Sequence, residues 1–286
     1  MEMLNTWQFN LVGYLICVVG FYQFYRLAVR NAKVDGAATI LLQFLGGISA
    51  LVLTPFFAIK FPTEAKYWWF ILGACVFYAL YDRLQTTVRK HLQVSVVTII
   101  GQLSTVFLLI YGILFFREPF HVNKFLGVLL ILIANILIRY SKGKFDFNKY
   151  VVIAIVSTLA FVTAISIDIG ISAQFNLPIY IMLTLIVPAS FIMIGEKIKF
   201  REVFEEFKTK DKKYYILTGI AWALTIFFSL RTFQLGSVTT IVPLQASSVL
   251  LNVLVAHFVM GEKKDGVKKI ISAILVILGI YLTILR

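Results

Sequence analysis

Apolar residues run through this chain in long blocks, separated by short polar stretches. A helix that crosses a bilayer needs about 20 mostly apolar residues. That length fits ten runs, near 9–29, 36–58, 67–88, 93–116, 122–140, 150–173, 177–195, 214–233, 237–259 and 267–285. None alternates apolar and polar positions over about ten residues, as a membrane barrel strand does. The pattern therefore predicts an all-α integral membrane protein with ten transmembrane helices. The third run, "YWWFILGACVFYALYDRLQTTV", is the least apolar and opens on Tyr67, Trp68 and Trp69, aromatic residues that favour the headgroup region.

Most connections are short. Residues 141–149, "SKGKFDFNK", form a polar linker at the middle of the chain. Residues 196–213, "EKIKFREVFEEFKTKDKK", are charged, yet Phe200, Val203, Phe204 and Phe207 recur at i, i+3, i+4 and i+7. That spacing predicts a short amphipathic helix lying on the membrane surface.

Composition agrees with a lipid environment. The 286 residues are 60% hydrophobic and 14% charged, where a soluble domain carries about 25% charged residues. The formal net charge of +13 then reads as topology rather than nucleic-acid binding, because no soluble basic domain is left over. The loops after the first, third, fifth, seventh and ninth runs hold most of the 27 Lys and Arg residues. The positive-inside rule places those loops in the cytoplasm, so both termini are expected outside it, in a multi-pass protein of the cell membrane. The first run lacks a basic leader and a small-residue cleavage site, which predicts a retained helix. Cys17 and Cys75 sit inside apolar runs, and neither suggests a disulfide framework or a metal site.

The second half of the chain repeats the first. "FFREPFHVNKFLGVLLILIANILI" (115–138) places Glu118 in a turn between apolar stretches, and "FVMGEKKDGVKKIISAILVILGIYL" (258–282) does the same with Glu262. With these glutamates superposed and one gap upstream, "TIIGQLSTVFLL" (98–109) aligns with "IVPLQASSVLLN" (241–252). Gln102 then meets Gln245, Ser104 meets Ser247, and Thr105 meets Ser248. The halves are expected at 1–140 and 150–286, joined by the linker 141–149. Five helices is an odd number, so the second half must enter the membrane inverted. Gly101 and Pro243 are the expected kink sites, and the glutamate turns are expected as structural corners.

"LLIYGILFFREPFHVNKFLGVLLILIANILI" and "GSVTTIVPLQASSVLLNVLVAHFVMGEKKDGVKKIISAILVILGIYL" resemble the drug/metabolite transporter superfamily, in particular its EamA-like ten-helix permeases. Each carries a penultimate helix, a Glu-bearing turn and a Gly-containing last helix. The resemblance implies a secondary carrier whose helices 1, 3, 4, 6, 8 and 9 enclose a cavity, and a metabolite such as an amino acid as cargo, with export the leading direction. The family's mid-helix proline is absent from its usual place, where Thr105 and Ser248 or Val249 stand.

Polar groups in lipid are expensive and therefore informative. Thr98, Gln102 and Thr105 share one face of the fourth run; Gln245, Ser248 and Asn252 share one face of the ninth. These read either as a hydrogen-bonding cavity lining or as glue between helices. The third run carries Tyr78, Tyr81, Asp82, Gln85 and Arg89 on one stripe, matched on the eighth by Trp222, Thr225, Ser229 and Thr232. Arg83 and Arg231 are the candidate ion-pair partners of Asp82. Tyr14, Phe21 and Tyr25 share a face of the first run, readable as a cavity wall or as packing. Thr39, Gln43, Gly46, Ala50 and Thr54 form a small-residue stripe suited to close helix contact.

Asp168, in "TAISIDIGIS", is the candidate proton-coupling residue: a carboxylate inside an apolar span can be ionised in one state and neutral in another. Its place near a helix end leaves open a solvated or paired acid. His91 and His121 fall in loops and His257 stands alone, so no metal set forms. No catalytic signature or cofactor motif is present, and the chain is not expected to be an enzyme. The expected partners are a small-molecule substrate and the lipid bilayer, with a homodimer left open. Two alternatives stand beside metabolite transport: efflux of hydrophobic cations, and a membrane scaffold or sensor that transports nothing.

Overall fold

The computed structural model describes residues 5–92, 94–139, 148–209, 211–259 and 266–285. Among the described residues the regular elements are helical: α1 (Trp7–Ala28), α2 (Asp35–Leu51), α3 (Ala65–His91), α4 (Val94–Gly101), α5 (Leu103–Leu114), α6 (Val122–Arg139), α7 (Lys149–Ile171), α8 (Leu177–Gly195), α9 (Phe200–Phe207), α10 (Lys212–Leu235), α11 (Val238–Ala246), α12 (Ser248–Val259) and α13 (Gly266–Ile284). Among the described residues, five stretches are long and apolar enough to cross a bilayer: Asp35–Phe56, Lys149–Gln174, Leu177–Gly195, Lys212–Leu235 and Val267–Ile284. The short amphipathic helix appears as α9. Glu262 and most of the polar linker lie outside the described residues.

Two of the expected single helices are each broken in two. The run at 93–116 becomes α4 and α5, parted at Gln102, and the run at 237–259 becomes α11 and α12, parted at Ser247. Gly101, of low helix propensity, directly precedes the first break, whereas Pro243, which lacks an N–H and crowds the carbonyl one turn back, sits inside α11 four residues before the second. A serine hydroxyl satisfies a carbonyl at each break. Ser104 Oγ donates to the Gly101 carbonyl at 2.7 Å, and Ser247 Oγ donates to the Leu244 carbonyl at 2.6 Å. The expected helix at 36–58 also ends early, at Leu51, and Pro55 sits in the short 3-10 turn Thr54–Phe56 that follows. His91, expected in a loop, closes α3 and stacks on Tyr150 with ring centroids 4.0 Å apart.

The helices gather into two compact units, and neither corresponds to a half of the sequence. One comprises Met1–Arg83 with Thr163–Gln234, the other Leu84–Val162 with Leu235–Arg286.

In the first unit α2 packs along α8, with Ile40, Leu42, Ala50, Ile181, Leu185 and Ala189 buried. The small-residue stripe on α2 serves the close contact expected of it: Gly46 lies against Leu185 of α8 and the backbone of Gly219 on α10. Loop contacts tie the ends of this unit. On one side Asn176, the N-cap of α8, accepts from the Ile179 amide at 3.2 Å, while its Nδ2 donates to the carbonyls of Phe57 and Ala58 at 3.3 and 3.1 Å. On the same side Arg231 donates to Asn5 at 3.0 Å, and Gln234 donates to Ser172 at 3.1 Å. The other side is held by an Arg83–Glu196 ion pair at 2.6 Å and by Glu206, which accepts the amides of Lys33 and Val34 at 2.7 and 2.9 Å.

In the second unit α6 packs along α13, and α11 packs along α5. Backbones meet where α6 and α13 cross. A Cβ placed on Gly127 would stand 2.5 Å from the Gly279 carbonyl, and one placed on Gly279 would stand 2.7 Å from the Gly127 carbonyl. Glu118 is the corner its sequence suggested. Arg117 takes φ 53° at the end of α5, a left-handed turn that redirects the chain. The Glu118 carboxylate then caps α11: Oε1 accepts the Val238 amide at 2.6 Å, and Oε2 accepts the Thr239 amide at 2.8 Å and the Thr239 hydroxyl at 2.5 Å. An anion at the first amides of a helix meets both their unpaired N–H groups and the helix dipole.

Candidate functional site

Two polar clusters stand out, one in each unit. In the first, three helices converge on Asp168 of α7. Tyr78 of α3 donates its hydroxyl to Asp168 Oδ2 at 2.7 Å, and Tyr180 of α8 donates to Oδ1 at 2.6 Å. Asp168 is 1% exposed and Tyr180 0%, so the access to water expected near the helix end is replaced by burial and pairing. Each carboxylate oxygen is held by a neutral phenol. Such a carboxylate accepts from two donors when ionised; when protonated it gains an O–H that needs an acceptor, which the phenol facing it supplies only by rotating its own hydroxyl hydrogen away. Proton binding and side-chain geometry are thereby linked at one residue.

One turn before Tyr78, Cys75 is buried and lies 3.8 Å from the Leu183 carbonyl. It also lines an apolar cavity of about 320 Å³, with Trp68, Trp69, Ile71, Leu72, Leu183 and Val187. One turn after Tyr78, Asp82 accepts from Gln43 Nε2 of α2 at 2.7 Å. Both arginines named as ion-pair candidates for Asp82 are engaged with other groups, Arg83 with Glu196 and Arg231 with Asn5 and Gln234. Gln43 is 2% exposed, and its Oε1 has no hydrogen-bond partner among the described residues.

The aromatic candidates meet in part. Phe21 of α1 packs on Trp222 of α10 with centroids 5.4 Å apart and on Tyr25 at 5.6 Å. Tyr14 is half-buried on α1, next to the point where Gly13 approaches Phe228 of α10.

In the second unit the polar cluster surrounds the two helix breaks. Asn135 of α6 donates to Gln102 Oε1 at 2.9 Å and to the Ala246 carbonyl at 3.0 Å. One buried amide thus ties the break after α4 to the break after α11. Thr105, Ser248 and Asn252 are buried beside the breaks, and Asn252 donates to the Ser248 carbonyl at 3.0 Å. Gln245 is half-buried at the end of α11. From α3, Gln85 donates to Ser157 of α7 at 3.0 Å.

Tyr180 and Asn135 were absent from the sequence candidates, although each holds a cluster together. The signal was present, since each is a polar group isolated in an apolar run, "LPIYIML" and "LIANILI", and such groups need partners in lipid. Among the described residues no group of three or more His, Cys, Asp or Glu side chains could hold a metal ion.

The model of the EamA-like transporter family matches residues 5–140, and that stretch belongs to the family. That match, together with stretches long and apolar enough to cross a bilayer, indicates a multi-pass membrane transporter of the drug/metabolite type. Among solved structures, one titled only as a crystal structure of a protein superposes with a TM-score of 0.72. It covers 94% of this chain and 98% of its own at 14% identity, a likeness of fold. No curated protein matches the chain.

Proposed function

We propose that this chain is a secondary carrier for a small organic metabolite, an amino acid or a related compound, which it exports by alternating access. In this reading ten spans form two inverted five-helix repeats, 1–140 and 150–286, with both termini outside the cytoplasm and Asp168 as the proton-coupling residue. The observation that carries it is the matched pair of broken helices. The breaks fall at Gln102 and Ser247, where repeat-related Ser104 and Ser247 each bond the carbonyl three residues back. Discontinuous membrane helices in related positions of two halves mark the binding region of carriers with inverted repeats. Packing supports the same symmetry, because α2 lies along α8, α6 along α13 and α5 along α11. Each is a pair five spans apart in the proposed order.

A second reading, efflux of hydrophobic cations, draws on the buried Asp168 carboxylate with its two aromatic neighbours. The test is counterflow in proteoliposomes with labelled amino acids and organic cations, with and without an imposed pH gradient. Asp168→Asn and Gln102→Ala run beside the parent. Saturable amino-acid exchange that Gln102→Ala weakens and Asp168→Asn uncouples from the pH gradient is the expected result. Exchange of cations alone moves the assignment to the second reading. No exchange of either class by folded protein leaves a scaffold or sensor. Cross-linking the same vesicles reports whether the carrier works as one copy or as a homodimer.

A further inference from the structure

Helix α9 hangs between two spans, α8 ending at Gly195 and α10 beginning at Lys212, so chain connectivity keeps it at the membrane boundary. Its two faces differ sharply. The inner face is Val203 and Glu206, 3% and 1% exposed. The outer face carries Phe200 and Phe204, 65% and 50% exposed.

Charge is sorted in the same way. Residues 196–213 contain five acids, and the structure occupies each of them within the protein. Glu196 pairs with Arg83, Glu202 accepts the Lys199 amide, and Glu205 pairs with Arg201. Glu206 holds the Lys33 and Val34 amides, and Asp211 accepts from Asn31 at 2.8 Å. The cations Lys197, Lys199, Lys208, Lys212 and Lys213 are exposed instead. Lys208 Nζ lies 4.6 Å from the Phe204 ring centre, so cation and aromatic share one patch. A segment close to neutral in sequence therefore presents a cationic, aromatic surface.

We propose that this outer face of α9 is a docking surface for anionic phospholipid of the bilayer the protein spans. Phe200 and Phe204 enter the boundary between headgroups and acyl chains, and the lysines gather the headgroup phosphates. A soluble acidic partner would match the charge alone. The exposed phenylalanines beside that charge, on a helix tethered at both ends to spans, match a lipid surface in both respects.

The test uses the full chain in nanodiscs with a reporter at the patch, F204W, its signal taken as the difference from the parent. Quenching by brominated phosphatidylglycerol is compared with quenching by brominated phosphatidylcholine at equal mole fraction. Local enrichment of the anionic lipid of about threefold is expected, falling to parity when Lys199, Lys208 and Lys213 are all changed to Gln and falling likewise at high salt. The same lysine changes place no residue of either polar cluster at risk, and an unchanged melting curve certifies the fold. Equal quenching by the two lipids overturns the proposal, as does a preference that survives the lysine changes. Shielding of the reporter by a soluble poly-glutamate peptide, with no lipid preference, overturns it in favour of an acidic protein partner.

Discussion

Both Asp168 oxygens are taken by phenols, so removing either phenol leaves a buried acceptor without its donor. An unsatisfied buried group of this kind costs about 1–3 kcal/mol. Tyr180→Phe is therefore expected to lower the melting temperature of the purified protein by a few degrees. The effect of Tyr180→Phe should shrink in an Asp168→Asn background, where the charge is gone and a single amide oxygen remains for the two phenols. A thermal double-mutant cycle reads that coupling, and strictly additive effects would show that the two side chains do not cooperate. Glu118 makes a separate case, because it holds backbone amides at the start of α11. Glu118→Ala removes a charged cap worth about 1–2 kcal/mol, whereas Glu118→Gln keeps an acceptor and should retain part of the stability. Melting temperatures equal to the parent's in both variants would argue that the carboxylate and its contacts carry nothing.

Helix crossings show where small residues are obligatory and where they are incidental. At Gly127 a methyl group would be driven into the Gly279 backbone, while at Gly73 a Cβ meets nothing within 4 Å. Gly127→Ala is expected to destabilise by about 1–3 kcal/mol through overpacking, with Gly73→Ala near neutral as its control. Chemical denaturation in detergent checks the pair, and equal effects would remove the backbone contact as the reason. Much at this scale was legible in the sequence. Hydrophobic run length located the helices, and turn chemistry located the corner at Glu118. The sequence placed Gly101 next to the first break, but it assigned no role to Ser104 or Ser247, whose hydroxyls bond carbonyls at the two breaks. The partners were not legible. Tyr180 and Asp168 lie on consecutive helices, yet nothing in "LPIYIML" says that its phenol faces inward, because in lipid the outer face is as apolar as the core. The same uniformity hid Asn135, whose two acceptors lie 33 and 111 residues away in sequence. It also hid the compact units, each of which draws on both halves of the chain.

At the scale of the molecule, the contacts within the first unit sort its connections by side. Glu206 joins the α8–α10 connection to the α1–α2 turn at Lys33 and Val34, and Glu196 joins it to α3 at Arg83, about two turns before the end of that helix. Asn176 joins the α7–α8 connection to the α2–α3 connection at Phe57 and Ala58, and Arg231 brings in Asn5 near the N-terminus. Alternate connections thus fall on opposite sides, as they must when successive helices each cross the bilayer. The basic residues follow the same division: Lys33, Lys197, Lys199, Lys208, Lys212 and Lys213 belong to the first side. In the proposed orientation, retention of positive charge in the cytoplasm would make that the inner side and the side of Lys60 and Asn5 the outer one. Single cysteines at Lys60 and Lys208, in a chain whose Cys17 and Cys75 are changed to Ser, put this to a direct measurement. In intact cells a membrane-impermeant maleimide should label Lys60→Cys and spare Lys208→Cys until the membrane is opened. The reverse pattern would invert the proposed orientation while leaving the alternation intact. Labelling of both from outside would instead refute the division itself, because the contacts that hold Glu206 to Lys33 and Asn176 to Ala58 could not then lie on opposite faces of one bilayer.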